Sequence, residues 1–244
     1  IRLGNKVIIT DPFVSEVAGP GILGPKRFLP AVFNAKELPK ADLIAVSHNH
    51  YDHLDDEALR AYPYKEDTLV IVPLGLKEFF TKRGYLHVTE QDWWQETQLE
   101  ELSITTLPAV HFSGRGLFDG NKTLWASFAF RNEDNNIWFS GDTAKGDIFQ
   151  SIGAKKGPFD IALIGIGAYE PRNFMRSVHA SPEDAIEMAI DLKAKKTIGM
   201  HWGSIMLTPE DPFEPPIRFR KAAIDQDYGE DNALVLKVGE TVSI

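Results

Sequence analysis

Short apolar runs separated by polar turns divide this chain, and most of them have the length of a buried β-strand. Strands are predicted over the segments 41–47, 68–75, 102–110, 159–169 and 196–203. Two polar turns, at Gly4-Asn5 and over 131–136, lie between further apolar runs and predict hairpins. The C-terminal segment 233–244 predicts a final pair of strands.

Helices are predicted between these strands, over 55–62, 76–84 and 216–229. The clearest helix start is the Ser-Pro-Glu-Asp sequence at 181–184. Serine is a favoured N-cap, proline fits the first turn, and carboxylates suit the positive end of a helix. The proline- and glycine-rich segment 11–40 predicts a long loop. Strands interleaved with helices indicate an α/β or layered αββα fold, and we expect one domain over 1–244.

Composition narrows the classes of protein that fit. The chain has 244 residues, a formal charge of −9 and no cysteine. The acidic balance argues against a nucleic-acid partner, and the lack of cysteine excludes disulfides and thiolate metal sites. We therefore expect a cytoplasmic location, although a disulfide-free periplasmic protein also fits. No signal peptide and no apolar run of membrane-spanning length are visible; since the chain opens at Ile1, we expect an N-terminal segment to be missing.

The stretch SHNHYDHLD at 47–55 concentrates polar ligand groups directly after an apolar run. Because they are two residues apart, His48 and His50 lie on one side of an extended segment. Asp52 and His53 follow where the chain turns toward a helix, so they can face a neighbouring position. Neutral imidazoles and carboxylates are ligands for zinc and similar cations, and this spacing favours two metal ions over one.

Further candidate ligands stand at the ends of other predicted strands. His111 ends LSITTLPAVH, Asp142 follows IWFSG, His201 ends TIGMH, and His179 lies in the loop after IGIGAYEPRNF. Loops at strand ends commonly carry catalytic groups. The sequence therefore predicts a dinuclear metal site assembled from separate parts of the chain.

The motifs SHNHYDHLD, AVH, SGDT and MHWG resemble, in the same order, the metal-binding motifs of the metallo-β-lactamase superfamily. GPKRF, DWW, GAYEPRNFM, HASPEDAI and HWG narrow the resemblance to the N-acylphosphatidylethanolamine-hydrolysing phospholipase D branch and its bacterial relatives. The resemblance implies a four-layer αββα sandwich. It also implies hydrolysis of a phosphodiester, such as an N-acyl phospholipid or a lipid-like relative, by a hydroxide that bridges two metals.

The resemblance also assigns the ligands. The first zinc ion would be held by His48, His50 and His111. The second would be held by Asp52, His53 and His201, and Asp142 would bridge both. Mn²⁺ or Fe are the alternatives to Zn²⁺. Asp52 and Asp142 are thereby predicted to act in catalysis as well as in metal binding.

Residues around the metal ligands are expected to contact the substrate. His179 is predicted to donate a hydrogen bond to a phosphoryl oxygen or to protonate the leaving group; the alternative is that it orients a ligand. Tyr169, Arg172 and Trp202 are predicted to bind substrate, Trp202 as a wall of the site, although Arg172 could equally hold its loop in shape. Asp11 either orients a ligand histidine or caps a loop.

Other functions fit the same ligands. A lactone, lactam or other acyl substrate could replace the phosphodiester, iron could support redox chemistry, and a binding module could retain the site without catalysis. The substrate is expected to be a small molecule or a phospholipid, and peripheral contact with a membrane is left open, as is the oligomeric state.

Overall fold

The computed structural model describes residues 1–243, and it confirms that strands and helices alternate. The strands are β1 Arg2–Leu3, β2 Lys6–Thr10, β3 Leu43–Ala45, β4 Leu69–Pro73, β5 His87–Gln91, β6 Glu96–Leu99, β7 Leu102–Leu107, β8 Ser127–Arg131, β9 Asn136–Phe139, β10 Phe159–Gly165, β11 Ala194–Met200 and β12 Ala233–Leu234. The α-helices are α1 Asp56–Ala61, α2 Lys77–Thr81, α3 Ile148–Lys155, α4 Arg172–Met175, α5 Pro182–Asp191 and α6 Glu214–Asp225.

The chain divides into two compact units. The first unit consists of Ile1–Lys26, Phe33–Pro108 and Phe112–Asn135. The second consists of Arg27–Val32, Ala109–His111 and the chain from Asn136 onward. The prediction that 1–244 forms one domain stays a prediction, and its last residue, Ile244, lies outside the described residues.

The first unit is built on a sheet with the strand order β1-β2-β3-β4-β5. β1 pairs antiparallel with β2, and the other neighbours in this sheet are parallel. Ile44 and Val70 of the central strands and Phe80 of α2 are buried in one hydrophobic cluster. Strands β6, β7 and β8 of the same unit form antiparallel pairs.

The second unit contains four parallel strands in the order β12-β11-β10-β9. Helix α5 contacts α6 and β11. It begins at the predicted position, where the Ser181 side chain accepts a hydrogen bond from the backbone N–H of Asp184 and the Asp184 carboxylate accepts one from the N–H of Ser181. This reciprocal capping satisfies two backbone donors that a helix start otherwise leaves without a partner.

The segment 11–40 contains only isolated β-bridges, which confirms the predicted loop. The predicted pair of strands over 233–244 is wrong for most of its length. Among the described residues 233–243, only Ala233–Leu234 is a strand, and the chain turns at Gly239, which adopts a positive φ of 84°. Within residues 1–243, no helix has both the length and the apolar character needed to cross a bilayer.

Candidate metal centre

The first unit presents the side chains of 48–53 from an irregular segment between β3 and α1. His48 Nε2 and His50 Nδ1 lie 2.8 Å apart, and the rings of His48 and His53 lie 4.3 Å apart. His53 Nε2 lies 3.4 Å from a carboxylate oxygen of Asp52. Four groups that can ligate a cation are thus gathered within one turn of chain.

Asp11 lies directly after β2 and supports this segment from behind. Its carboxylate accepts hydrogen bonds from the backbone N–H of Ser47 at 2.7 Å and from the Ser47 hydroxyl at 2.5 Å. The same carboxylate lies 2.7 Å from Nδ1 of His53, and the Ser47 hydroxyl oxygen lies 2.8 Å from Nδ1 of His48. These contacts support the orienting role for Asp11, one of the two roles that the sequence left open, while metal binding by His48 and His53 stays a prediction.

These contacts determine which ring nitrogens can bind a metal. An ionised carboxylate only accepts hydrogen bonds, so Nδ1 of His53 donates to Asp11, and in the neutral ring Nε2 then carries the lone pair. The Ser47 hydroxyl gives its hydrogen to Asp11 and must then accept one from Nδ1 of His48. Nε2 of His48 consequently also carries a lone pair. One carboxylate thereby sets the tautomers of two candidate ligands.

Replacing Asp11 by asparagine is expected to weaken zinc binding by about 10–100-fold, the usual effect of losing a partner behind a ligand. An amide can place its NH₂ group toward His53 or Ser47 and so remove the acceptor that both need. Titration of the metal-free protein against a chromophoric chelator measures the change. Asp42→Asn on the neighbouring loop, where the carboxylate accepts from the Val7 N–H, is the control. Equal zinc affinity in the Asp11 variant and the native protein would contradict this role.

The second unit gathers His111, Asp142, His179 and His201. Asp142 is 5% exposed and follows β9 through Gly141, whose φ of 56° is accessible to glycine at no cost. Its two carboxylate oxygens lie 3.8 Å from Nε2 of His111 and 3.3 Å from Nε2 of His201. Nδ1 of His179 lies 4.0 Å from the same carboxylate.

Backbone contacts hold three loops of this cluster together. The Thr143 hydroxyl oxygen accepts from the N–H of Val110, and the Thr143 carbonyl accepts from the N–H of Ala180. His111 Nδ1 lies 2.8 Å from the carbonyl oxygen of Val178, which can only accept, so in the neutral ring Nε2 of His111 carries the lone pair. The motif SGDT was identified in the sequence, but the role of Thr143 in positioning these loops was not predicted.

The three predicted substrate-binding residues contact other parts of the protein. Tyr169 is fully buried and donates to the Glu214 carboxylate, and its pKa is raised by burial and then by that hydrogen bond. Arg172 donates to the carbonyl oxygen of His179 and pairs with Asp184. Trp202 donates from its indole to the carbonyl of Gly199. These contacts support the shape-holding role for Arg172, while substrate binding by the three residues stays a prediction.

The sequence of this chain is similar to those of known proteins. Residues 6–202 match the family described as Beta-lactamase superfamily domain. The chain is 36% identical over 254 aligned residues to N-acyl-phosphatidylethanolamine-hydrolyzing phospholipase D 1 of Caenorhabditis elegans, covering 98% of this chain and 71% of that protein. It is 39% identical to the mitochondrial N-acyl-phosphatidylethanolamine-hydrolyzing phospholipase D of Saccharomyces cerevisiae, covering 85% of this chain but only 46% of the yeast protein.

A solved structure shares the fold. The isothiocyanate hydrolase from Delia radicum gut bacteria superposes with a TM-score of 0.78 at 20% identity, over 100% of this chain and 95% of that one. At this identity the likeness concerns the fold alone. The two His/Asp clusters described above therefore lie on a fold that this chain shares with that protein.

Proposed function

Because the chain belongs to the N-acylphosphatidylethanolamine-hydrolysing phospholipase D family of the β-lactamase superfamily, we propose that it hydrolyses the phosphodiester of an N-acyl phospholipid or a lipid-like relative. The membership and the shared fold confirm the predicted α/β, metallo-β-lactamase-like fold and the predicted class, a metal-dependent hydrolase. The observation that carries the proposal is the 36% identity over 98% of the chain, together with His/Asp groups that could hold a metal ion.

The donor set fits divalent metal ions. Imidazole nitrogens and carboxylate oxygens suit zinc, and the hydrogen bonds behind His48, His53 and His111 give each ring the tautomer with a lone pair on Nε2. We propose that the two clusters act together. His48, His50 and His111 would hold one Zn²⁺, Asp52, His53 and His201 the other, and Asp142 both. When bound, such ions polarise a phosphoryl group and acidify water.

The remaining residues of the cluster would handle protons and charge. His179 is fixed through its backbone, since its N–H donates to Met175 and its carbonyl accepts from Arg172. The centroid of its ring lies 5.1 Å from that of His111 and 5.7 Å from that of His201. From there His179 would donate a hydrogen bond to a phosphoryl oxygen or protonate the departing alkoxide. Asp52 would add negative charge that balances the cations.

The proposal includes a partner and a location. The substrate would be a lipid taken from a membrane surface by peripheral contact, and the protein would work in the cytoplasm. The absence of cysteine from all 244 residues supports a reducing compartment.

Product analysis tests this function. The zinc-loaded protein is incubated with N-acylphosphatidylethanolamine in ¹⁸O-labelled water, and we expect N-acylethanolamine together with phosphatidic acid that carries the label in its phosphate. The label reports attack at phosphorus, because attack at carbon would place it in the alcohol. A simple lactone is run in parallel. Rapid opening of the lactone with no cleavage of the phospholipid would overturn the phosphodiester assignment in favour of an acyl substrate.

A further inference from the structure

Arg115 contacts the backbone of the ligand segment 48–54 from a different loop of the first unit. Its Nη1 donates to the carbonyl oxygens of Leu54 at 2.6 Å and Asn49 at 2.9 Å, with a longer contact of 3.4 Å to the carbonyl of His50. These carbonyls stand at both ends of the stretch that carries His50, Asp52 and His53. One guanidinium group thus ties the two ends of the stretch together.

The contact between the two loops is reciprocal. The backbone N–H of Gly114 donates to the Asn49 side chain at 2.7 Å, and the Tyr51 hydroxyl donates to the carbonyl of Arg115 at 3.0 Å. The guanidinium also lies over the Tyr51 ring, 3.9 Å from its centroid. Cation–π contact of this kind adds to hydrogen bonding when the group is partly removed from water.

The loop that carries Arg115 is itself anchored. The Asp119 carboxylate accepts from the N–H groups of Gly116 and Arg115, and these bonds hold the pKa of Asp119 below its ordinary value. The Ser113 hydroxyl donates to the carbonyl of Thr123. The loop that carries Arg115 is therefore held in place by its own hydrogen bonds.

The ligand segment has few backbone hydrogen bonds of its own. Between His48 and Leu54 it is neither helix nor strand, and the turn is closed by the N–H groups of His53 and Leu54 donating to the carbonyl of His50. Without Arg115, the carbonyls of Asn49 and Leu54 would lose these hydrogen bonds. Because both residues are buried, water could not easily replace the lost donor. Leaving a buried acceptor without a hydrogen bond is costly, and this cost favours another conformation of the segment.

We propose that Arg115 is a positioning residue that holds the ligand segment in its metal-binding conformation before any metal is bound. The proposal rests on the proposed function, because it takes His50, Asp52 and His53 as ligands. Arg115 would not ligate a metal itself, because its guanidinium group only donates hydrogen bonds. Its effect is to lower the conformational cost that metal binding would otherwise include.

Two arginine substitutions test this role. Arg115→Met removes the guanidinium and keeps an apolar stem. Arg60→Met is the matched control, because Arg60 lines the same cleft of about 730 Å³ but its side chain is exposed and pairs with Asp56 on α1. Zinc affinity is measured by competition with a chromophoric chelator, without substrate. We expect about 10–100-fold weaker binding for Arg115→Met and a change within about 2-fold for Arg60→Met.

A second readout separates positioning from a general loss of stability. In the metal-free Arg115 variant, hydrogen exchange at the amides of His53 and Leu54 is expected to be faster, while exchange in β3 and β4 is unchanged. Arg115→Lys keeps the cation but lacks the planar donor group, and we expect an intermediate affinity. This variant also serves as the test if Arg115→Met does not fold.

The outcomes distinguish this inference from the proposed function. Native zinc affinity and native exchange in both Arg115 variants would overturn the positioning role, as would equal losses in the Arg115 and Arg60 variants. A native protein that binds no zinc would instead overturn the proposed metal centre. A native protein that binds zinc normally but does not cleave the phospholipid would overturn the proposed substrate and leave the positioning role unaffected.

Discussion

Replacing Asp142 by asparagine is expected to abolish turnover while the fold survives. Asp142 is buried, and its two oxygens face His111 and His201 in the second unit. Asparagine has nearly the same shape but no negative charge to balance two cations. A loss of about 4 kcal/mol of charge stabilisation lowers the rate by about 10³-fold.

The measurement is kcat for phosphodiester cleavage, together with circular dichroism to check the fold. Asp147→Asn is the matched control, since Asp147 is an exposed carboxylate on the same loop whose side chain makes no cap hydrogen bond to α3. The control is expected to keep native activity. An Asp142 variant with more than a tenth of the native kcat would remove Asp142 from the mechanism.

Removing the metal is expected to have an equally large effect. Dialysis against a strong chelator should leave no measurable cleavage, and zinc should restore it at two equivalents per chain. A metal ion at a free concentration of about 1,000 times its Kd stabilises a folded protein by about 4 kcal/mol. For a chain of this size that corresponds to a Tm higher by about 8–16 °C.

Calorimetry of the metal-free and zinc-loaded protein measures the difference in Tm, and the preformed chelator–zinc complex controls for the chelator. Full cleavage by a protein shown to contain no metal would contradict the mechanism. Restoration at one equivalent would instead indicate a mononuclear centre.

The positions of the candidate ligands could be predicted because they depend on local sequence. Each follows an apolar run that forms a strand: 48–53 follow β3, Asp142 follows β9 and His201 follows β11. The start of α5 was predicted from the same kind of local signal. Strands β5 and β6 were not predicted, because His87–Gln91 and Glu96–Leu99 lack a strong apolar pattern and are stabilised by pairing with neighbours.

Contacts between distant segments could not be predicted from the sequence. Nothing in SGRGLFDG indicates that Arg115 reaches the carbonyls of residues more than sixty positions earlier. The choice between two roles for Asp11 likewise depended on Ser47 and His53 lying beside it. These residues become neighbours only in the folded protein, so a local sequence pattern does not indicate that they interact.

Anomalous diffraction at the zinc edge, from crystals of the zinc-loaded protein, locates bound metal directly. We expect two peaks per chain, one beside His48 and His50 and the other beside Asp52 and His53, with a carboxylate oxygen of Asp142 on each. A single peak, or peaks that each touch ligands from only one of the two units, would contradict the dinuclear centre.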